Sequence, residues 1–451
     1  MTTNRNFKRL VRDRMARTGE RYATARSHVL AARPADAGPA ITSEGGATSA
    51  SGPFPAVRLV GGDQPDLAAA LNLCRTAGVV GPDGAGLSEA MAFGLAGGIG
   101  FLYGVFEYDT GPTMTIVARH ASMPDPFVEP LFARVGVTVD VATTGGSKKA
   151  ASTLDAALAS QQTVLCTVGA GALGYTGEAE TMAAMAPHIV GVVGAETGAD
   201  GEQTVLLDDR APVPIGVERA RFDAARAAYK AAKHRLVTVT GVDHDHDWMA
   251  SVNDAIATAA ARFDTPPVPQ FAANVGFAGL TKFGRLIGDG DGSDAKRWTK
   301  VFPEGRLAAI GLSRLHDCID HAYTAPSAGR ALFADFLDEA AALGAPGRLG
   351  DAAERFRSSA AEWRAVVDLA VGAHPDLGRY AELATERAEA LDGGAPDPGA
   401  MAASAAAQQE LIDGCELGAA DAATVYAEIG ARVDAIVDAE RAGFAALGGS
   451  S

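Results

Sequence analysis

Residues 161–210 constrain the fold more than any other stretch of the chain. The run T-V-L-C-T-V (163–168) is short, apolar and rich in β-branched residues, as a buried strand should be. Glycines follow in G-A-G-A-L-G-Y-T-G (169–177), then a short Ala/Met-rich helical piece, then H-I-V-G-V-V-G (188–194). A polar turn at A-D-G-E (199–202) leads into T-V-L-L-D-D-R (204–210). The order is strand, glycine turn, helix, strand, turn, strand. His188 opens the second strand, and Asp208 with Asp209 closes the third. If these two strands pair as a hairpin, an imidazole and a carboxylate come together.

Two kinds of chemistry compete for this stretch. Gly169, Gly171 and Gly174 spell G-x-G-x-x-G after the first strand, and Glu196 follows at about the distance of a ribose-binding acid. Against a dinucleotide site, Tyr175, Thr176 and Gly177 delay the helix that would face the phosphates. No further β-α units follow, as a doubly wound sheet requires. The other reading starts from His188 and Asp208, since an imidazole oriented by a carboxylate is the core of acyl-transfer chemistry. Upstream, G-G-D-Q-P-D-L-A-A-A-L-N-L-C (61–74) reads as a helix start, capped by Asp63 or Asp66 with Pro65 in its first turn. A helix, then a sheet bearing His, then an acid is the layout of papain-like cysteine hydrolases and transferases. There the nucleophilic thiol sits at the helix N-terminus, where the dipole lowers its pKa.

Further motifs carry a resemblance to a known family. They are L-S-E-A-M-A-F-G-L-A-G-G-I-G-F (87–101), the H-I-V-G-V-V-G strand, V-L-L-D-D-R-A-P-V-P-I (205–215), A-R-A-A-Y-K-A-A-K-H-R-L (225–236) and A-G-R-A-L-F-A-D-F-L-D-E-A-A (328–341). With them, the stretch from about Val57 to Val239 resembles the butirosin biosynthesis protein H N-terminal domain. From about Asp247 to Val371 the chain resembles the helical domain of unknown function that often follows it. The resemblance implies a cysteine-peptidase-like fold and transfer of an acyl group from an acyl carrier protein to an aminoglycoside amine. It matches His188 to the family's strand histidine and Asp208, or Asp209, to its acid. Where the family carries its nucleophilic cysteine this chain has Asp66, and Cys74 lies two turns further along the same helix. The candidate catalytic residues are therefore His188, Asp208, Cys74 and Asp66.

The expected fold class is α+β: a papain-like cysteine peptidase/transferase-type domain followed by an all-α helical domain. With 451 residues the chain has room for both. Residues 6–32 form a basic amphipathic stretch, so the expected order is an N-terminal helical arm (1–32), a flexible Ala/Gly/Ser/Pro-rich linker (33–55), the α+β domain (56–242) and the helical domain (243–451). A formal net charge of −16 argues against nucleic acid or an anionic membrane as partner. Four scattered cysteines without a C-x-x-C pair fit a reducing cytoplasm and exclude a cysteine-based zinc ribbon. No signal peptide or membrane-length apolar run is present, so the expected location is the cytoplasm.

The remaining polar motifs have simple accounts. Ser88 reads as a helix cap and His120 as the end of a strand. D-H-D-H-D (243–247) has ligand types that suit a metal, but it falls at the expected domain junction and offers no further ligand. In R-L-H-D-C-I-D-H (314–321), His316 with Asp320 and Asp317 with His321 are i,i+4 helix pairs. Residues 378–446 read as helix pairs, either a homodimerisation hairpin or a packed tail. No cofactor or metal is expected. The leading function is an acyltransferase, or another amide-forming or amide-hydrolysing enzyme, of natural-product metabolism, served by an acyl carrier protein or a peptide or small-molecule substrate. The alternatives are a non-catalytic relative that binds such a partner and, third, a dinucleotide-binding oxidoreductase.

Overall fold

A computed structural model describes residues 59–108, 111–119, 127–177, 187–264, 269–288, 292, 294–321 and 326–448. The expected basic arm, the linker and His120 lie outside these residues. In chain order come α1 (Pro65–Thr76), α2 (Glu89–Ala96), β1 (Ile99–Tyr108), β2 (Gly111–Arg119), α3 (Glu129–Arg134) and β3 (Val137–Ala142). Next are α4 (Ser147–Ala159), β4 (Val164–Gly169), α5 (Ala170–Leu173), β5 (Pro187–Thr197), β6 (Gln203–Asp208), β7 (Ile215–Glu218), α6 (Arg219–Ala228) and β8 (Leu236–Val242). Helices complete the chain: α7 (Trp248–Asp264), α8 (Gly276–Ile287), α9 (Trp298–Val301), α10 (Gly305–Asp320) and α11 (Arg330–Ala342). The last four are α12 (Leu349–Gly372), α13 (Pro375–Asp392), α14 (Pro398–Gly414) and α15 (Ala419–Gly448). The protein is thus a mixed α+β chain with antiparallel sheets and a helical C-terminal part.

Two compact units divide it. The first takes residues up to Thr76, Asp140–Val239 and Glu389–Pro396, and the second takes Ala77–Val139, Thr240–Ala388 and Asp397–Ser451. The first is organised on a six-stranded sheet of order β3-β8-β4-β5-β6-β7. The central strand β4 is buried at every position, which is why its sequence is a continuous apolar run and not an alternating one. One face, carrying Cys166, Val168, Val190, Val192 and Leu207, packs under Leu154 of α4 and Phe222 of α6. Helix α1 lies along β5 and β4 on the other face, burying Leu67, Leu71 and Cys74. The late segment 389–396 rejoins this unit through Asp392, whose Oδ1 accepts from Arg210 Nε at 3.0 Å in a largely buried ion pair.

The dinucleotide expectation fails here. Strand β4 pairs antiparallel with both β5 and β8, whereas a dinucleotide-binding unit needs parallel strands joined by a crossover helix. The helix after Gly169 has only four residues and stops at Gly174, whose φ of 85° is left-handed. Arg221 occupies the space above that glycine.

The second unit contains the β1–β2 hairpin and a helical assembly around a large aromatic core. Phe101 stacks on Trp363 with ring centroids 6.0 Å apart, and Tyr103 and Trp298 pack on Phe283. Helices α12 and α15 pack along each other. Ser88 caps α2 by accepting from the Met91 backbone N–H at 2.9 Å, and its hydroxyl donates to Glu339 at 2.7 Å. Among the described residues, no helix is long and apolar enough to cross a membrane.

This core also contains one charged pair. Arg330 and Glu440 are both fully buried and meet in a two-pronged contact, Nε to Oε1 at 2.7 Å and the second fork at 3.0 Å. Ser359 donates to the same carboxylate at 2.7 Å, and Arg330 also donates to the Ala118 and Ala328 carbonyls. Removing one partner would strand a buried charge. Glu440→Ala is expected to cost about 3–5 kcal/mol in urea denaturation, and Arg330→Met combined with Glu440→Leu to recover most of that loss.

Candidate active site

Strand alternation decides which acid meets His188. In the β5–β6 hairpin Asp208 lies opposite Gly191, and in the β4–β5 pair His188 lies opposite Val168. Residues 188, 190 and 192 therefore point to the face of Val168 and the α4/α6 core, and Gly191 to the other. Asp208, opposite Gly191, is directed towards α1, and the next residue, Asp209, towards His188.

The contacts follow that division. His188 Nε2 lies 3.1 Å from Asp209 Oδ2, and the Tyr175 hydroxyl donates to the same oxygen at 2.7 Å. The Asp209 side chain is almost wholly buried, and that of His188 keeps 21% of its surface exposed. Burial works against ionisation of Asp209. The charge of His188, hydrogen bonds from His188 and Tyr175, and the charge of Arg210 outweigh it and hold the carboxyl below its ordinary range. An ionised carboxylate only accepts, so Nε2 carries the proton in this pair. Tyr175 was visible in the sequence only as an interruption of the glycine motif. No local pattern signals its tie to a residue in the third strand.

Asp208 has the opposite character. Asn72 Nδ2 in α1 donates to its Oδ1 at 3.1 Å, and the same amide group bridges both backbone groups of Val60 at 3.0 Å. Burial pushes the Asp208 carboxyl up to about 8; the Asn72 bond offsets part of that, and Asp209 adds to it. Gly191 is required at this crossing, since a Cβ there would stand 2.8 Å from the Asp208 Cβ. Two consecutive aspartates thus hold different protonation states in one site.

The other two candidates occupy α1. Asp66 sits in the first turn, where its Oδ1 accepts from the Leu67 backbone N–H at 2.9 Å, so a carboxylate occupies this helix end. Cys74 lies deeper in the helix and is fully buried, and burial pushes its thiol up to about 12. The remaining cysteines are buried too: Cys166 is pushed up to about 11, and Cys318 and Cys415 are also raised, each chiefly by burial. None is poised as a thiolate at neutral pH.

Side chains of two further polar motifs make structural hydrogen bonds. In D-H-D-H-D, His246 Nε2 lies 2.8 Å from the Arg134 carbonyl and 3.0 Å from Ser251 Oγ, while Asp247 caps α7 by accepting from Ala250 N. In α10, His316 turns inward and pairs with Asp317, its neighbour, at 3.0 Å. Asp317 also accepts from the Tyr380 hydroxyl at 2.7 Å, and Asp320 accepts from Ser327 N at 2.8 Å.

An antiparallel sheet backed by a helix, with an imidazole held by a buried carboxylate, defines an α+β domain equipped for proton transfer. Residues 71–210 match the family model for butirosin biosynthesis protein H, N-terminal, and residues 216–394 match that of a domain of unknown function, DUF4872. The chain thus carries a butirosin biosynthesis protein H N-terminal domain with that second domain following it, and the first points to a peptidase-like fold. No curated protein matches the chain.

The raised Asp208 carboxyl has a signed consequence. Between its ordinary 3.8 and about 8, the folded protein holds a proton that the unfolded chain has released. Its contribution to stability is therefore complete below 3.8 and is lost as pH rises through about 8. Asp208→Asn keeps the neutral form at every pH. Urea denaturation across this range should show the variant gaining on the parent as pH rises, with the gap constant above about 8. A gap that never changes would mean that Asp208 is ionised in the folded protein.

Proposed function

We propose that this protein acts in natural-product metabolism as an acyltransferase that uses His188 as general base, without a covalent acyl-enzyme. The observation that carries this is the Tyr175–Asp209–His188 chain, in which a buried, ionised carboxylate fixes a partly exposed imidazole. The family name supports the metabolic setting. The burial of all four thiols speaks for direct attack on the acyl donor and against a thiolate nucleophile.

With Nε2 turned to Asp209, proton transfer runs on Nδ1. An amine attacks the carbonyl of an acyl thioester on a carrier protein or small molecule, and the imidazole removes the N–H proton as the C–N bond forms. Collapse breaks the C–S bond, and the proton passes from the imidazolium to the departing thiolate. The products are one amide and one free thiol. Asp209 stays ionised throughout and stabilises the transient imidazolium.

A second reading, a non-catalytic relative that binds a carrier protein, peptide or small molecule, is favoured by Asp66 standing in the thiol's place. Amide formation from acyl-carrier thioesters and candidate amines, read by mass spectrometry, separates the two. His188→Gln should lower the rate about 100-fold or more and Asp209→Asn comparably, while Cys74→Ala leaves it unchanged. An acylated protein whose label disappears in Cys74→Ala would overturn the direct-attack mechanism. Full cellular function in a strain carrying His188→Gln would favour the binding role.

A further inference from the structure

The second unit carries a cluster of ligand-type side chains far along the chain from His188. In H-P-D (374–376), Pro375 opens α13, which puts His374 immediately before the helix and Asp376 in its first turn. In G-C-E-L (414–417), Cys415 is the residue that ends α14. One ligand atom from each of His374, Asp376 and Cys415 lies within 4.8 Å of the other two. We propose that these three residues form a binding site for one zinc-type divalent metal ion, pinning the start of α13 to the end of α14, with water as the fourth ligand.

The geometry and the donor types agree. His374 Nδ1 and Asp376 Oδ2 are 3.3 Å apart, close to the roughly 3.3 Å edge of a tetrahedron with ~2.0–2.1 Å bonds to nitrogen and oxygen. An imidazole, a carboxylate and a thiol suit zinc, whereas magnesium and calcium call for oxygen ligands only. The Asp376 backbone N–H also lies 3.3 Å from His374 Nδ1, and a bound metal would take that nitrogen's single lone pair in place of this long hydrogen bond.

A bound metal would replace the Cys415 proton: the S–H bond breaks, a metal–sulfur bond forms and one proton leaves to solvent. Cys415 is buried, while the side chains of His374 and Asp376 keep 26% and 34% of their surface, enough for an ion to enter and a water to remain. The sequence pattern conceals the set because the thiol and the other two ligands come from separate helix ends, with none of the close spacing of a zinc ribbon.

Titration of the full-length protein with Co²⁺, followed by Zn²⁺ competition against a chromogenic chelator, tests the proposal. The expected result is one equivalent of Co²⁺, with a thiolate-to-cobalt charge-transfer band that Zn²⁺ abolishes. The band should vanish in Cys415→Ala, and His374→Gln and Asp376→Asn should each weaken binding about tenfold or more. Zn²⁺ affinity should fall about tenfold per unit of pH lowered, in step with the single proton released. If Cys415→Ala does not fold, the two exposed-edge variants decide. Absence of the band, or metal binding that His374→Gln and Asp376→Asn leave unchanged, overturns the site.

Discussion

The register of the β5–β6 hairpin governs the chemistry of this protein. Because Asp208 sits opposite Gly191, its carboxyl turns towards α1 and meets Asn72, and the next residue turns the other way to meet His188 and Tyr175. A slip of one residue would exchange these partners and move every neighbouring valine to the wrong face. The side chain missing at Gly191 makes the crossing possible, since a Cβ there would press on Asp208.

The electrostatic result is a division of labour between adjacent carboxyls. Asp208 is buried with the Asn72 amide as its donor, so burial dominates, Asp209 adds to it, and the proton is retained to about 8. Asp209 is equally deep, but hydrogen bonds from His188 and Tyr175 and the neighbouring Arg210 help to compensate, and its charge is retained. Burial alone therefore does not set the state of an acid; the count and sign of its partners do. The same rule acts in the helical unit, where hydrogen bonds from His316 and Tyr380 outweigh the burial of Asp317 and hold its carboxyl below the ordinary range.

The thiols show the converse. Cys74 and Cys166 are enclosed where burial raises the thiol, so they stay as small apolar side chains. At α1, the helix end that favours an anion is occupied by the fixed carboxylate of Asp66. The reaction proposed for the first unit therefore rests on the imidazole of His188 and calls for no thiolate.

Local pattern was enough for much of the fold. The apolar run of β4, the polar turn before β6, the Pro65 helix start and the Ser88 cap are all set by residues within a few positions of one another. The family motifs and the pairing of His188 with an acid were legible for the same reason, as was the depth of Cys74 in its helix. Sequence by itself could not choose Asp209 over Asp208, because that choice depends on the register between two strands. Nor could it link Tyr175 to Asp209, bring Asp392 back to Arg210, or gather His374 and Asp376 with Cys415. It also offered a dinucleotide motif that only the antiparallel pairing of β4 excluded. Short-range propensity is written in neighbouring residues, while side-chain partners are chosen by how whole elements pack, and that is decided only when the chain has folded.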